Sequence, residues 1–510
     1  MRAKRSNKMA STTNPWLVLG IISGALMLIG IDMTVLNVAL PKLAQDLGAT
    51  NSDKLWMVNA YSLVMAGLLP GFGALSDKIG HRKILVWGMV VFGVSSLMAA
   101  FSPTPGFLIF ARGLLAVGAA MMMPATLSIV RTVFTGDQDR ATAIGIWGAV
   151  WAGSAALGPV LGGFLLEHFW WGVVFLINVP IAVVTIFLAL AKIPHMPSNP
   201  KLHWDALSSG ILTVALIALF YGLKGMLKAD IHWNEVALSM LVGVLFSWLY
   251  HRRQKSQPSP LVDFSLFRNA RFSLGAVVCA GAGFALIGLQ YVLSQEVQLV
   301  RGFSPLQAGL FILPIAAASF FSGPIAGRFI LQLGIERMIA LTLLIGFVGT
   351  AVYTFTGHLA PIVWELATLA LVGMGAGGSM AAASTAVMIS APEDRAGMAG
   401  SIESISYELG GTLGVAVMGS IMAATFTRSF SPPVDARLVP SAWDSFDQMV
   451  VAARGLSETL ASEVMEAGRT AFISGANMSL LLTTAIMFAL AASVGVHARN
   501  KKPVPIDVRH

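Results

Sequence analysis

Fourteen long apolar runs, separated by short polar or charged breaks, order almost the whole chain. Their approximate limits are 16–40, 55–74, 84–101, 107–130, 141–166, 172–192, 204–223, 233–250, 272–295, 305–331, 338–356, 361–389, 397–426 and 473–496. A helix needs about 20 apolar residues to cross the roughly 30 Å hydrocarbon core of a bilayer. The pattern therefore predicts an all-α membrane protein with 14 transmembrane helices. Arg2, Lys4, Arg5 and Lys8 precede the first run as they would in a signal peptide, but that run is too long for one and reads as an uncleaved first span.

The breaks divide the chain. His251 to Arg271 is basic and contains Pro and Ser, as a loop between two halves should. The longest break, 428–472, opens with Pro432-Pro433. In it Trp443, Phe446, Val450 and Ala453 recur at helical spacing, and after Gly455 so do Leu456, Leu460, Val464, Ala467 and Ala471. This predicts an amphipathic helical hairpin packed on one face of the membrane helices. Its role, as a lid or partner contact or as plain loop elaboration, is open. An internal repeat is also visible. Asp139-Arg140-Ala141-Thr142 is matched 255 residues later by Asp394-Arg395-Ala396-Gly397, and Gly118 by Gly373. GALSDKIGHRK (Gly73 to Lys83) and GRFILQLGIER (Gly327 to Arg337) share glycines at an offset of 254. An even number of spans separates the copies, so the repeat is parallel. The expected layout is a six-helix half over 1–195, two inserted helices and a linker over 196–264, and a second six-helix half over 265–510 carrying the hairpin.

Composition agrees with this layout. Hydrophobic residues make up 56% of the 510 and charged residues 11%, against roughly 25% charged in soluble proteins. The net charge of +8 could suggest a nucleic-acid partner, but the basic residues sit in short loops between spans, so none is expected. An even span count puts both termini on one side. Of the 33 Lys and Arg, 23 fall at the termini or in loops on that side and nine on the other, which predicts cytoplasmic termini. Short loops with this bias fit a multi-pass protein of a bacterial inner membrane. The single cysteine, Cys279, lies in an apolar run, so no intrachain disulfide can form.

Against this apolar background the intramembrane charges stand out. Asp32 lies past the middle of WLVLGIISGALMLIGIDMTVLNVAL, and Arg112 lies inside the fourth span. Ionisable groups in a span are costly, face polar cavities or partners, and mark functional sites. Arg112 is about 8 Å and Asp32 about 12 Å from the same membrane face at 1.5 Å per residue. Their depths allow them to pair, either as a structural ion pair or as part of a proton path. In the thirteenth span Glu403 and Glu408 flank Tyr407 (Glu403-Ser-Ile-Ser-Tyr407-Glu408-Leu-Gly410-Gly411). Five residues apart, the two acids point about 140° away from each other. Glu408 is expected near mid-membrane and facing a cavity. Glu403 is shallower, as an acid at the cavity mouth or a packing acid. Tyr61, Trp147, Trp151, Tyr291, Met121, Met122 and Met123 are further candidates for a cavity wall, since aromatic faces attract cations and methionines adapt to varied shapes. In so apolar a chain most of them would simply pack.

Several stretches carry a resemblance. The loop with Gly73, Asp77, Gly80, His81 and Arg82 resembles the G-x-L-a-D-r-x-G-r-k loop of the major facilitator superfamily. Glycines there permit close backbone approach. Asp77 with Arg82, and Asp139 with Arg140 in the next loop on that side, can form a latch that closes in one conformer and opens in another. Ala111-Arg112-Gly-Leu-Leu-Ala-Val-Gly118 resembles the family's intramembrane arginine motif, which implies a part in proton transfer. Gly145, Ser154, Gly158, Pro159, Gly162 and Gly163 resemble its antiporter motif, with Ser154 where glycine is usual. Small residues there let helices approach closely, and proline bends the helix. Asp32-Met-Thr34-Val-Leu-Asn37-Val-Ala-Leu40-Pro41 and Phe175-Leu-Ile-Asn178-Val-Pro180 are similar to signatures of the fourteen-helix drug:proton antiporters. Within that group, two acids on the thirteenth span and an external hairpin resemble the exporters of quaternary ammonium compounds and methyl viologen.

The resemblance implies a major facilitator fold of two six-helix halves plus two inserted helices, with lipophilic organic cations as substrates. It also implies proton and drug competing for Asp32 and Glu408, with Arg112, Glu403, Tyr407 and Asn37 beside them. The proton gradient would drive export by alternating access, with no cofactor, no metal, no ATP and a monomeric protein. An uptake carrier fits less well with the antiporter motif. An exporter of another small metabolite, such as a siderophore or amino acid, keeps that motif, but three carboxylates to one arginine favour cations. No HExxH, GxGD, GxSxG or GxxxxGK[ST] motif is present, so neither a membrane hydrolase nor direct use of ATP is expected.

Overall fold

The computed structural model describes residues 14–134, 137–194, 204–226, 231–257, 264–356, 361–391, 396–433, 435–436 and 438–499. Among them, 14 helices are long and apolar enough to cross a membrane. They are α1 (Pro15–Leu47), α2 (Asn51–Ile79), α3 (His81–Ala100), α4 (Pro105–Val133), α5 (Asp137–His168), α6 (Val173–Lys192), α7 (Ala206–Met226), α8 (Trp233–Ser256), α9 (Ala270–Gln295), α10 (Pro305–Leu333), α11 (Ile335–Thr356), α12 (Ile362–Ser390), α13 (Ala396–Ser429) and α15 (Glu458–Arg499). A short helix, α14 (Phe446–Ala453), precedes the last. The protein is a multi-pass membrane protein.

Local chemistry sets the helix ends. Asn14 accepts from the Trp16 N–H and Pro15 opens α1, where its missing N–H costs nothing. Gly48 closes α1 in the left-handed conformation at φ 63°. The repeat runs deeper than the loop glycines. Thr50 with Asp53 caps α2 reciprocally, and Ser304 with Gln307 does the same for α10, 254 residues on. Pro70 inside α2 recurs as Pro324 inside α10, and both helices have 29 residues. Gly80 ends the first at φ 102° and Gly334 the second at φ 82°, backbone conformations that side-chain-bearing residues rarely adopt.

In lipid no hydrophobic force pulls helices together, so close packing has to. The first six helices pack α1 against α5 and α6, α2 against α4, and α3 against α4. The last six pack α9 against α12 and α13, α10 against α12, and α11 against α12 and α15. Between the two sets α5 lies on α10 and α2 on α13. The inserted helices α7 and α8 pair with each other, and α7 docks on α2, where a Cβ at Gly67 would come within 2.7 Å of Thr213 Cα. Their outer side, including Leu207, Leu238, Leu241 and Val244, is exposed apolar surface for lipid. Asp205 clamps this pair. It accepts Arg253 Nε at 2.8 Å, Arg253 Nη2 at 3.0 Å, the Ser208 N–H at 3.1 Å and Gln257 Nε2 at 3.1 Å.

The hairpin differs from expectation in one respect. Its first arm is α14, but its second arm is not a separate element. It runs unbroken into the last membrane helix as the 42-residue α15, about 63 Å long and twice the hydrocarbon thickness. Phe446 packs edge-on against Phe426 of α13 and Phe472 of α15, and Phe430 against Trp443. Beside this aromatic cluster, buried Asp447 of α14 meets buried Lys54 of α2 at 2.5 Å, and Lys54 also reaches Gln295 Oε1 of α9 at 3.4 Å. The hairpin is thereby tied to both sets of helices.

Two measurements follow from these contacts. Asp447→Ala leaves a buried ammonium without its counter-charge, so thermal unfolding in detergent should show a loss of roughly 3–5 kcal/mol, most of it restored by adding Lys54→Met. Burial pushes the Asp205 carboxyl up, but hydrogen bonds from Arg253 and Ser208 outweigh it and hold it at about 2. This stabilisation is therefore present above the ordinary carboxylate range and lost as pH falls toward about 2. Asp205→Asn should flatten the acid limb of a stability–pH profile and leave the neutral limb parallel to wild type.

Candidate functional site

Four helices converge on one buried ion pair. Arg112 Nη1 of α4 donates to Asp32 Oδ2 of α1 at 2.6 Å, and the two residues are 1% and 0% exposed. Arg112 Nε donates to the Met57 carbonyl of α2 at 3.1 Å, and the guanidinium lies 4.6 Å from the Tyr61 ring centroid. Asn178, at the broken start of α6, donates from Nδ2 to Asp32 Oδ1 and to Ser96 Oγ of α3, both at 3.2 Å. The pairing expected from matched depth is present. Asn178 belonged to a recognised signature, but its role as a ligand of Asp32 was not foreseen.

Glu403 and Glu408 point to different neighbours, as their spacing requires. Glu408 is buried on α13 and takes a hydrogen bond from Ser62 of α2, while its Oε2 has no hydrogen-bond partner. Glu403 is half-buried and bonds Ser384 of α12. Ser62 follows Tyr61 in sequence, so adjacent residues of α2 touch Arg112 on one side and Glu408 on the other. Tyr61 Oη is likewise buried without a partner. An unpaired buried polar atom costs about 1–3 kcal/mol, so its persistence calls for an explanation such as a bound proton or polar ligand. Tyr407 is half-buried, and its backbone carbonyl lies against Gly283 of α9.

Asn37 acts differently from the expectation. It is not brought to Asp32, and its buried Oδ1 has no partner. Its backbone carbonyl makes the contact, accepting Ser294 Oγ of α9 at 2.6 Å. The reason is Pro41, which has no N–H to give the carbonyl four residues before it. Gln298 Nε2 donates to the neighbouring Val38 carbonyl at 3.1 Å. Glu167 of α5 also accepts from Ser304, the N-cap of α10. All these bonds join the two helix sets at the end away from the termini.

The antiporter motif packs that same end. A Cβ at Gly158 would collide with Thr34 of α1 and one at Gly162 with Val35, so these glycines seat α5 on α1. A Cβ at Gly163 would come within 2.5 Å of Leu306 Cα on α10, and Gly309 of α10 is pressed in turn against the Pro159 carbonyl. The side chain of Ser154, in place of glycine, bonds back to the Val150 carbonyl at 2.6 Å. The surroundings of Gly145 lie outside the described residues.

The loop motif is described in part. Asp77 is half-exposed, with His81 Nε2 at 3.9 Å. Arg82 Nη2 donates to the Leu190 carbonyl at the end of α6 at 2.5 Å. Asp139 is exposed, and the side chain of Arg140 lies outside the described residues, as do Asp394 and Arg395. The expected close approach at Gly73 is corrected. A Cβ there would meet only Pro124 Cβ, at an ordinary 3.8 Å. Among the wall candidates, the Tyr61 ring lies over the protein's own Arg112, whereas Met121 and Met122 pack against Gly88 of α3 and Trp147 bonds Thr126 at 3.1 Å. Lys54 and Asp447 were not foreseen. Their only signal was a charge at each edge of an apolar segment.

Comparison places this geometry among known proteins. Residues 22–415 match the Major Facilitator Superfamily. The methyl viologen resistance protein SmvA of Salmonella typhimurium is 39% identical over 490 residues, covering 93% of this chain and 98% of the relative. The multidrug efflux pump LfrA of Mycolicibacterium smegmatis is 32% identical, covering 96% and 97%. A bacterial homologue of the human lysosomal transporter Spinster, in an inward-facing and unoccupied conformation, superposes with a TM-score of 0.65 at 18% identity, covering 97% of this chain and all of that one.

Gly163→Ala and Gly309→Ala each place a methyl group against backbone of the facing helix. Each should weaken closure at this end by about 1–3 kcal/mol, seen as a longer mean distance between spin labels on α5 and α10. Gly73→Ala should leave that distance unchanged.

Proposed function

Because the chain belongs to the Major Facilitator Superfamily, we propose that it is a proton-coupled exporter of lipophilic organic cations. The observation that carries this reading is the buried line from Asp32 and Arg112 through Tyr61 and Ser62 to Glu408. It supplies two carboxylates deep among the helices, one balanced by a guanidinium and the other with an oxygen free to accept a proton or a cation. Aromatic Tyr61 lies beside both. A carboxylate out of water resists standing alone as a charge, so it binds either a proton or a counter-cation. Drug and proton then exclude one another at the same acid.

Each residue has a part in the cycle. Glu408 meets the cation, which displaces the proton held on its carboxyl. Asp32, once protonated, no longer carries the charge that holds Arg112 Nη1. Arg112 stays attached to α2 through the Met57 carbonyl, and Asn178 keeps Asp32 oriented. The charge bias of the loops supports a reading in which both termini lie in the cytoplasm of a bacterial cell and the protein spans its inner membrane. The end where Asn37, Val38, Gly163 and Glu167 meet α9 and α10 then faces outward and is closed. Release of drug outside then requires these outer contacts to part. The likeness to a methyl viologen resistance protein and to a multidrug efflux pump supports this substrate class.

Ethidium efflux from cells expressing the protein tests the reading. Wild type should clear the dye, and a protonophore should stop it. Asp32→Asn and Glu408→Gln, checked for equal membrane expression, should each fall to the rate of cells lacking the protein. Absence of efflux by well-expressed wild type would point to an exporter of another metabolite. Efflux unaffected by both substitutions would remove these acids from the coupling.

A further inference from the structure

The last six helices hold no copy of the Asp32–Arg112 pair, since Leu286 and Leu366 stand 254 residues on. One residue before Leu366, however, is Glu365. Its Oε2 accepts Arg301 Nη1 at 2.7 Å, and Arg301 Nη2 reaches Glu296 Oε1 of the turn after α9 at 3.3 Å. The Glu296 side chain is fully buried and that of Glu365 is 5% exposed. The guanidinium lies over the Phe311 ring of α10 at 5.5 Å. Tyr353 of α11 interacts electrostatically with all three, and its buried hydroxyl has no hydrogen-bond partner. Around them Leu293, Val297, Leu369 and Leu480 of α15 complete an apolar shell.

Here two carboxylates share one guanidinium. With both acids ionised the trio carries one negative charge, and with a single proton bound it carries none. A net charge among apolar side chains is costly, and one proton bound by the trio, whose Arg301 side chain is 19% exposed, removes it. We propose that Glu296, Arg301 and Glu365, with the Tyr353 hydroxyl as hydrogen-bond partner, form a second proton-binding site separate from Asp32 and Glu408. No bond but the O–H of one carboxyl is made or broken there. The site sits where its charge bears on closure. Glu296 opens a π-helical turn, Glu296–Val300, a form that recurs at functional sites. The Arg301 N–H closes the turn on the Glu296 carbonyl at 3.3 Å. That turn carries Gln298, and Ser294 just precedes it. These are the two side chains that hold the α1 carbonyls. The proposal rests on the proton-coupled reading only for its use in transport.

Infrared difference spectroscopy of the protein in lipid vesicles, stepped in pH, reads the site directly through the carboxylic-acid C=O band. Wild type should gain this band as pH falls. Glu365→Gln should lose one carboxyl's share of it, and Glu296→Gln the same share, with the double variant losing no more than either single one. Glu365→Asp should keep the band at a shifted midpoint. A band unchanged by both Gln substitutions, or losses that simply add, would overturn the proposal. If the Gln variants fail to fold, the Asp variant still decides: an unshifted midpoint also overturns it. In a second arm, proteoliposomes with methyl viologen inside and a pH gradient report protons moved per cation, and Glu365→Gln should lower that ratio. If wild type moves methyl viologen without protons, the exporter reading fails while the infrared result stands on its own.

Discussion

A carboxylate and a guanidinium withdrawn together from water hold five of the first six helices to one another. Taking either charge alone out of water costs several kcal/mol, and mutual attraction repays it only when the remaining donors and acceptors are also met. Here they nearly are. Arg112 spends its groups on Asp32, the Met57 carbonyl and the Tyr61 face, and Asp32 receives both Arg112 and Asn178. The partners come from four helices, so α1, α2, α4 and α6 have only narrow freedom to slide without stranding a charge. Asn178, at the break where α6 begins, extends the constraint to Ser96 of α3. Small residues then fill in the packing around a centre that polar atoms have already fixed.

Closure between the two helix sets has another character. Its polar part is a few hydrogen bonds to backbone carbonyls, set among glycine contacts and a buried apolar cluster that spans both sets, and prolines occur at two of its parts. Pro41 leaves the Asn37 carbonyl for Ser294, and Pro159 brings its own carbonyl against Gly309. A neutral hydrogen bond is worth about 1 kcal/mol net. One unit of pKa difference between two conformers is worth ~1.4 kcal/mol. The hydrogen-bonded part of this closure is therefore of the same size as the effect of one or two protons. The Lys54–Asp447 pair adds a heavier clasp from outside the repeat, through an insertion that only the second helix set carries.

Much of this was legible beforehand, for physical reasons. Span number and length follow from the bilayer, and the pairing of Asp32 with Arg112 from the rule that buried charges find partners. The divergence of Glu403 and Glu408 follows from helix geometry alone. The repeat was legible in its glycines, yet its firmest copies, the Thr50 and Ser304 capping boxes and Pro70 with Pro324, went unread because caps are short and common. What went unread at Asn37 was its backbone: the residue type suggests side-chain chemistry, whereas the group that bonds Ser294 is a carbonyl freed by a proline four residues on. Gly73 was misjudged because a motif glycine close-packed in one conformer can stand clear in another. The continuity of α15 was hidden by polar residues in its first half, which lie beyond the hydrocarbon and obey no apolar rule.

The two acids of α13 are not equivalent in what they can transmit. Glu403 bonds Ser384 of α12, inside its own set of helices, so a change in its charge acts on contacts within that set. Glu408 bonds Ser62 of α2, across the boundary between the sets. Under the proposed function, a proton or cation on Glu408 bears directly on this boundary between the sets. Ser62 in turn follows the tyrosine that lies over Arg112, so the same turn of α2 senses the charge of Asp32. A ligand moves a conformational equilibrium only through a difference in its interactions with the two states. Of the acids on α13, Glu408 is the one placed where such a difference arises, which is why the coupling is assigned to it rather than to its neighbour.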